Sequence, residues 1–388
     1  MNQRSATPDF YLADTLLTDD EIAVRERVRT FAETHLRPGA AEAWDAAEFR
    51  HELVPHLAEI GIVGGSVGEY GCPVLSSVAY GLATSELSRV DSSFSTFFGV
   101  HSSLAMLSIH LCGNENQKRH WLPLLARCEK IACFALTEPD HGSDASHLTT
   151  EARLSGDEYV LSGAKRWIGN ATICDVAIVW ARAEDGIAGF LVEQPNSGFH
   201  ATKIEGKLSK RSVWQADILL DECRVPATAR MPVGGFRTIA EILSGTRHSV
   251  AWAALGEAFA CYEIALGYAT SREQFGKPIA AFQLVQSKLV GMLAEITKAQ
   301  LLSIQLARLK DQGMATPGMT ALAKANNTTT ARAAAATARE ILGGNGILHD
   351  YEVMRHMCDI EAIYTYEGTN DINTLVVGRE ITGLNAFA

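Results

Sequence analysis

The chain has no Cys-x-x-Cys pair and no Cys/His cluster at zinc spacing, so no metal site is expected; its eight cysteines (Cys72, Cys112, Cys128, Cys133, Cys174, Cys223, Cys261, Cys358) are scattered. Scattered thiols read as small buried hydrophobes of a protein kept reduced, hence cytoplasmic. There is no G-x-G-x-x-G and no Walker A sequence, which disfavours a Rossmann nicotinamide site and a P-loop ATPase. Positive charge is short. With 34 Lys+Arg against 45 Asp+Glu the net charge is -11, unsuited to a nucleic-acid partner. No apolar run reads as long enough to span a bilayer. Residues 1–8 lack the apolar core of a signal peptide, and the last residues are no Ser-Lys-Leu address.

What is present is ample apolar material: 47% of 388 residues, enough for two or three domains. The texture runs α, then β, then α. Residues 1–130 read as helical. Thr18-Asp-Asp-Glu21 is a capping box opening a helix that stops before Pro38. A second run, Glu48 to Ile60, ends at Gly61, and helical patterns follow at 77–89, 93–111 and 114–127. Residues 131–235 alternate, with strands at Tyr159-Val-Leu161, Val176-Ala-Ile-Val-Trp-Ala181 and Gly189-Phe-Leu-Val192, a sandwich or small barrel. Residues 236–388 are helical again. Val285, Leu289, Met292, Ile296, Ala299, Leu302, Leu306 and Leu309 mark one face of a long helix, and an Ala-rich helix over 317–342 ends at Gly343-Gly344.

The stretch Glu361-Ala-Ile-Tyr-Thr-Tyr-Glu-Gly-Thr-Asn-Asp-Ile-Asn373 carries the chemistry. It sets one carboxylate, Glu367, between Tyr364 and Tyr366 on one side and Gly368 and Thr369 on the other, just before a helix restarts. Loss of hydration disfavours the charged form and strengthens a carboxylate as a base. A general base beside a cofactor fits these residues; so does a surface glutamate. Gly64-Gly-Ser-Val-Gly68 matches a nucleophile elbow around Ser66, but a helix precedes it where the elbow needs a strand. Phe134-Ala-Leu-Thr-Glu-Pro-Asp-His-Gly-Ser-Asp144 is a loop rich in hydroxyls and N–H donors, fit for a phosphate or a flavin edge, or an ordinary turn. Trp167, in Gly163-Ala-Lys-Arg-Trp-Ile-Gly-Asn170, is core or stacks on a ring. Arg272, in Ser271-Arg-Glu-Gln-Phe-Gly-Lys-Pro278, is a phosphate binder or a solvated cation at a helix end.

Leu136-Thr-Glu-Pro139 with Gly142-Ser-Asp144, Lys165-Arg-Trp-Ile168, Arg272 with Gln274-Phe-Gly276, Leu342-Gly-Gly-Asn-Gly346 and Tyr366-Glu-Gly-Thr369 occur in this order. Together they resemble the acyl-CoA dehydrogenase family over nearly the whole chain, nearest its glutaryl-CoA dehydrogenase branch and the related short-chain acyl-CoA oxidases. The resemblance implies a mainly α fold with a central β domain: an N-terminal helical domain (1–130), a middle β-barrel (131–235) and a C-terminal four-helix bundle (236–388), assembled as a homotetramer. It implies FAD as cofactor, held by Phe134, Leu136, Thr137, Gly142, Ser143, Trp167, Gly169, Arg272, Phe275, Gln283, Glu340, Gly343, Gly344, Thr369 and Asp371, the adenine end in part across a subunit contact. Ser95, Phe98, Arg247, Tyr366 and Gly368 would meet an acyl-CoA substrate, Arg247 near the CoA nucleotide. Glu367 would remove the α-proton while hydride leaves Cβ for flavin N5, and electrons would pass to an electron-transfer flavoprotein, as in fatty-acid metabolism. Desolvation by Tyr364, Tyr366 and the acyl chain would raise the basicity of Glu367.

Two positions depart from the family pattern. Ser95 stands where glutaryl-CoA dehydrogenases carry an arginine for the far carboxylate. A carboxylate buried there unpartnered costs several kcal/mol, so a short uncharged acyl chain is expected, with Phe97 and Phe98 flooring its pocket or lying in the helix core. Gly169 stands where most family dehydrogenases carry a hydroxyl toward flavin N5. It is expected to leave space beside the flavin, either water-filled or open to O2, the latter making the chain an oxidase that releases hydrogen peroxide. A thioester hydrolase using Ser66, or a non-catalytic CoA- or FAD-binding scaffold, lies outside this class.

Overall fold

Thr18 caps as its spacing predicts. In the computed structural model, which describes residues 9–387, the Glu21 carboxylate accepts the Thr18 N–H at 2.9 Å while Thr18 Oγ1 accepts the Glu21 N–H. They open α1 (Asp19–Phe31), which runs through a wider turn, Ala32–Leu36, and stops before Pro38. The expected helix from Glu48 to Ile60 is corrected. Instead α2 (Ala40–Ala46) ends at Ala47 with φ 56, and α3 (Val54–Glu59) starts only at Val54, after a turn of 3-10 helix. Pro55 explains the late start: it has no N–H to donate and suits a helix's first turn, not its interior. The remaining N-terminal helices are α4 (Ser77–Val90), α5 (Ser92–Phe98), α6 (Met106–Cys112) and α7 (Glu115–Ala126), with Gly99–Ala105 a wide turn joining α5 to α6. The signal-peptide reading of residues 1–8 lies outside the described residues.

Seven strands follow: β1 (Ala132–Ala135), β2 (Glu151–Ser155), β3 (Glu158–Gly169), β4 (Val176–Ala183), β5 (Gly186–Glu193), β6 (Phe199–Lys203) and β7 (Gln215–Pro226). They make one curled sheet, not a sandwich, in the order β1-β4-β2-β3-β7-β6, with β5 on β4. The pairing of β3 with β7 slips between Lys165 and Ile168. Such a bulge re-aims a side chain; here it turns Trp167, at φ 63, out of the sheet.

The C-terminal bundle comprises α8 (Phe236–Ser271), α9 (Gln283–Asp311), α10 (Pro317–Leu342), α11 (Val353–Thr365) and α12 (Asn370–Thr382). One expectation fails as stated: α8 is long and apolar enough to cross a membrane, with an 18-residue window of mean hydropathy 1.2. That window is 78% buried inside the protein, so its apolar surface is spent on the core. On α9, Leu289, Met292, Ile296, Ala299 and Leu306 are buried on one face, and α10 ends at Leu342 against Gly343-Gly344. α4 lies close on α8: a Cβ at Gly256 would fall 2.2 Å from the Ser85 carbonyl oxygen.

A buried polar knot fixes α11 against the N-terminal helices. Asp359 accepts from Trp44 Nε1 (2.8 Å), Ser92 Oγ (2.9 Å) and the Lys210 N–H (2.6 Å), while Lys210 Nζ donates to the Ser92 carbonyl (2.8 Å). α11 thereby delivers residues 366–369 to the junction of the domains.

Candidate active site

The chain reverses between α11 and α12 through two left-handed residues, Glu367 at φ 52 and Gly368 at φ 91. For a non-glycine residue such backbone costs on the order of 1–3 kcal/mol and persists only where neighbours enforce it. Here side chains hold each carbonyl of the turn. Arg247 Nε donates to the Glu367 carbonyl (2.9 Å), and Asn373 Nδ2 to those of Gly368 (2.8 Å) and Thr369 (2.9 Å). Lys324 Nζ donates to Tyr364 (3.1 Å), Tyr366 (2.9 Å) and Gly368 (2.6 Å). Thr369 Oγ1 caps α12 by accepting the Ile372 N–H.

The Glu367 carboxylate accepts from Thr246 Oγ1 at 3.1 Å. Burial raises its pKa above the ordinary carboxylate value; Arg247, Thr246, Lys324 and Lys310 act against that rise without cancelling it. Among the described residues no protein group accepts the Glu367 N–H. A basic carboxylate and a free N–H donor thus belong to one residue. That pair can take a proton from carbon and steady the charge left on a neighbouring oxygen.

Tyr366 is the aromatic that desolvates this turn, its hydroxyl bonded to Thr96 and raised by burial. Tyr364 instead lies with the Arg332 guanidinium 4.3 Å from its ring centre. Phe98 is fully buried and stacks on Tyr80 at 5.3 Å; the Tyr80 hydroxyl, pushed up to about 12 by burial, bonds Ser102 (3.1 Å) and Ser103 (2.6 Å). Phe97 packs on Phe49 at 4.8 Å and is core. Ser95 is buried and donates to the Thr84 carbonyl. Arg247, expected near a nucleotide, lies against the Glu367 turn.

A second platform comes from the sheet. Lys165 is fully buried, with Nζ on the Leu136 carbonyl (3.1 Å) and on Glu138 (2.9 Å); Glu138 also accepts the Thr149 N–H (2.6 Å) and Thr150 N–H (2.9 Å). Burial alone would raise Glu138, but Thr150, Lys165 and Thr149 outweigh it and hold it at about 2. The Arg166 N–H binds the Thr137 carbonyl (2.9 Å). This frame fixes Leu136 and Thr137 beside the Arg166–Trp167 segment, where Trp167 stands 51% exposed; Phe134 is buried with its ring 6.2 Å from that of Trp180, and Gly142 and Ser143 lie in an exposed loop. Gly169 is buried, and a Cβ there would sit 3.1 Å from Val100 Cγ2.

The third group lies at helix ends. Arg272 caps α8 and is exposed, Gln283 opens α9, Gly343 (φ 58) and Gly344 follow α10, and Asp371 is in the first turn of α12. Phe275 is 93% exposed at φ 53. Glu340 is paired with Lys288 (2.8 Å). Two exposed aromatics on strained backbone, an exposed arginine and the orphaned buried Asn370 Oδ1 beside Thr369 suit a flat-ringed, phosphate-bearing cofactor with apolar faces. The elbow reading of Ser66 fails: Ser66 is exposed in a turn that α3 precedes, with no strand before it.

A half-buried basic carboxylate, with an exposed tryptophan and an exposed arginine elsewhere on the chain, suits a flavin-dependent oxidoreductase. Family models agree: residues 18–129, 133–223 and 234–382 match the N-terminal, middle and C-terminal domains of acyl-CoA dehydrogenase. The mitochondrial short-chain specific acyl-CoA dehydrogenase of Bos taurus is 35% identical over 366 residues, 92% of this chain and 89% of that protein. Glutaryl-CoA dehydrogenase from Mycobacterium smegmatis superposes with TM-score 0.97 at 41% identity over the whole of both chains. A glutaryl-CoA dehydrogenase from Mycobacterium smegmatis in complex with FADH2 gives 0.96 at 40%, covering 98% of this chain and 99% of that one. A structure from Acidaminococcus fermentans, reported as an electron transferring flavoprotein, gives 0.91 at 33%, covering 94% and 98%. The chain belongs to the acyl-CoA dehydrogenase family, FAD-dependent oxidoreductases acting on CH–CH bonds.

Sequence reasoning missed Thr246, Tyr80, Lys310, Asn373 and Lys324. Lys324 left a signal: with Thr320, Ala321, Thr328 and Ala331 it falls at helical spacing on a face that is otherwise small and buried.

Proposed function

We propose that the protein desaturates a short, uncharged acyl-CoA between Cα and Cβ, with Glu367 as the general base and an electron-transfer flavoprotein as acceptor. The observation that carries this is the Glu367 turn, where a basic carboxylate and an N–H with no protein acceptor belong to one residue. Thr246 fixes one carboxylate oxygen. The Glu367 N–H donates to the thioester oxygen as it gains charge, and one such donor typically contributes about 3–4 kcal/mol. Bound FAD supplies the two-electron acceptor for the hydride leaving Cβ; Leu136, Thr137 and Trp167 would lie along its ring, and Arg272, Phe275 and Gln283 would hold its far end.

Phe98, like Phe97, is fully buried in the N-terminal core, and the short chain is supported by the likeness to short-chain specific acyl-CoA dehydrogenases. A glutaryl chain would end in a carboxylate, and Ser95 brings a hydroxyl, not a cation. Val100 Cγ2, 3.1 Å from where a Cβ on Gly169 would lie, narrows the space on that side of the glycine and in this respect supports a dehydrogenase. Exposed Phe275 supports completion of the cofactor site by a second copy, within a homotetramer. Eight free thiols support a reducing compartment such as the cytoplasm.

Butyryl-CoA added anaerobically to the purified yellow protein should bleach the flavin. Air should then leave it bleached until an electron-transfer flavoprotein is added. Rapid recovery of colour in air with stoichiometric peroxide would make it an oxidase, and no bleaching would overturn the substrate class.

A further inference from the structure

Lys324 is fully buried on α10, and no carboxylate among the described residues pairs with it directly. A protonated amine carries three N–H donors. The turn presents three acceptors, the carbonyls of Tyr364, Tyr366 and Gly368, all within 3.1 Å of Nζ. A neutral amine could donate to only two of them; the Gly368 carbonyl, which Asn373 Nδ2 also holds, would keep a partner, whereas loss of the Tyr364 or Tyr366 contact would not be made good by Asn373.

The geometry of the peptide gives this contact a consequence at the reacting end. In a planar trans peptide the C=O and the next N–H point in opposite directions. Lys324 draws the Tyr366 carbonyl toward α10, so the N–H of the same peptide, that of Glu367, is turned away from α10 and finds no protein acceptor. Arg247 draws the Glu367 carbonyl to itself, which fixes the following peptide as well.

We infer that Lys324 is a positioning residue for the reaction: by gathering the carbonyls of Tyr364, Tyr366 and Gly368 it aims the Glu367 N–H at the substrate oxygen, and its charge steadies the ionised Glu367 carboxylate. The inference rests on the reading of Glu367 as the base. Burial pulls Lys324 down to about 7, Glu367 opposes that, and Arg247 adds to it. The other groups facing Glu367 are Arg247 and Thr246 from α8, Lys310 from α9 and Tyr80 from α4.

The test compares the holoenzyme with Lys324→Met and Lys324→Arg, measuring FAD content, kcat, KM and the pH profile with the acyl-CoA that bleaches the wild type. For Lys324→Met with FAD bound, kcat should fall about 100-fold, the scale for a misaimed oxyanion donor, with KM changed less than about three-fold. Activity needs ionised Glu367. Removing a nearby cation raises its pKa, so the acid limb of kcat should move to higher pH. Turnover within about three-fold of wild type and an unmoved acid limb would overturn the inference. If Lys324→Met does not fold, Lys324→Arg decides. It keeps the charge and loses the three-carbonyl fit, so kcat should fall about ten-fold with the acid limb in place, and wild-type kcat would overturn the inference. A wild type that bleaches with no acyl-CoA would instead sink the functional reading beneath it.

Discussion

Two reversals in the C-terminal bundle put a non-glycine residue at nearly the same left-handed backbone angle: Glu367 at φ 52 between α11 and α12, and Phe275 at φ 53 between α8 and α9. Around Glu367 every strained peptide is held by a buried side chain from another helix. Around Phe275 the support is local, a two-residue hairpin of Glu273–Gln274 with Lys277–Pro278 and an edge contact with Phe282 at 6.0 Å, and the ring is left 93% exposed. The first turn is held by side chains of its own chain. The second displays an exposed aromatic face and an exposed arginine that the described residues do not bury. Strain alone therefore does not say what a turn does; what covers it does.

The sharpest way to break this contrast is Glu367→Gln. It keeps the turn's hydrogen-bonding shape and removes the base, so turnover should fall about 10²–10⁴-fold while FAD stays bound, checked by flavin absorbance and steady-state kinetics. Near-normal turnover would sink Glu367 as the base. Thr246→Val removes the Thr246 hydrogen bond to the Glu367 carboxylate, so kcat should fall about ten-fold, the scale of a bond to a charged group, and the acid limb should rise. Phe275→Ala should act least. The thermal midpoint of the FAD-stripped protein should shift by about 1 °C or less, because the ring is solvated. FAD affinity should weaken about five-fold, the scale of one aromatic contact, read by titrating FAD back. A large loss of apoprotein stability would mean that Phe275 packs within its own chain.

How much was legible beforehand varies with the range of the forces involved. The Thr18 cap, the α9 stripe and the stop at Gly343-Gly344 rest on contacts three or four residues apart, which the sequence displays. Pro55 displayed the true start of α3 as well; the periodicity from Glu48 masked it. Glu367 was legible as a carboxylate between aromatics and a glycine turn, but which aromatic meets it was not: Tyr364 and Tyr366 are two residues apart, and one turns to Arg332, the other to Thr96. Gly169 read as open space, because a missing side chain shows in the sequence and a neighbour 69 residues away, Val100, does not.

The sequence by itself determined the α, β, α order, the helix ends and the candidate base, because propensity, capping and periodicity act over one or two turns of chain. Only the tertiary structure decided the environment of that base. Burial, the approach of Thr246, Arg247, Lys310 and Lys324 from three different helices, and the free N–H of Glu367 are set by where distant segments pack. A pKa and a hydrogen bond depend on distance in space, which residue order along the chain does not specify.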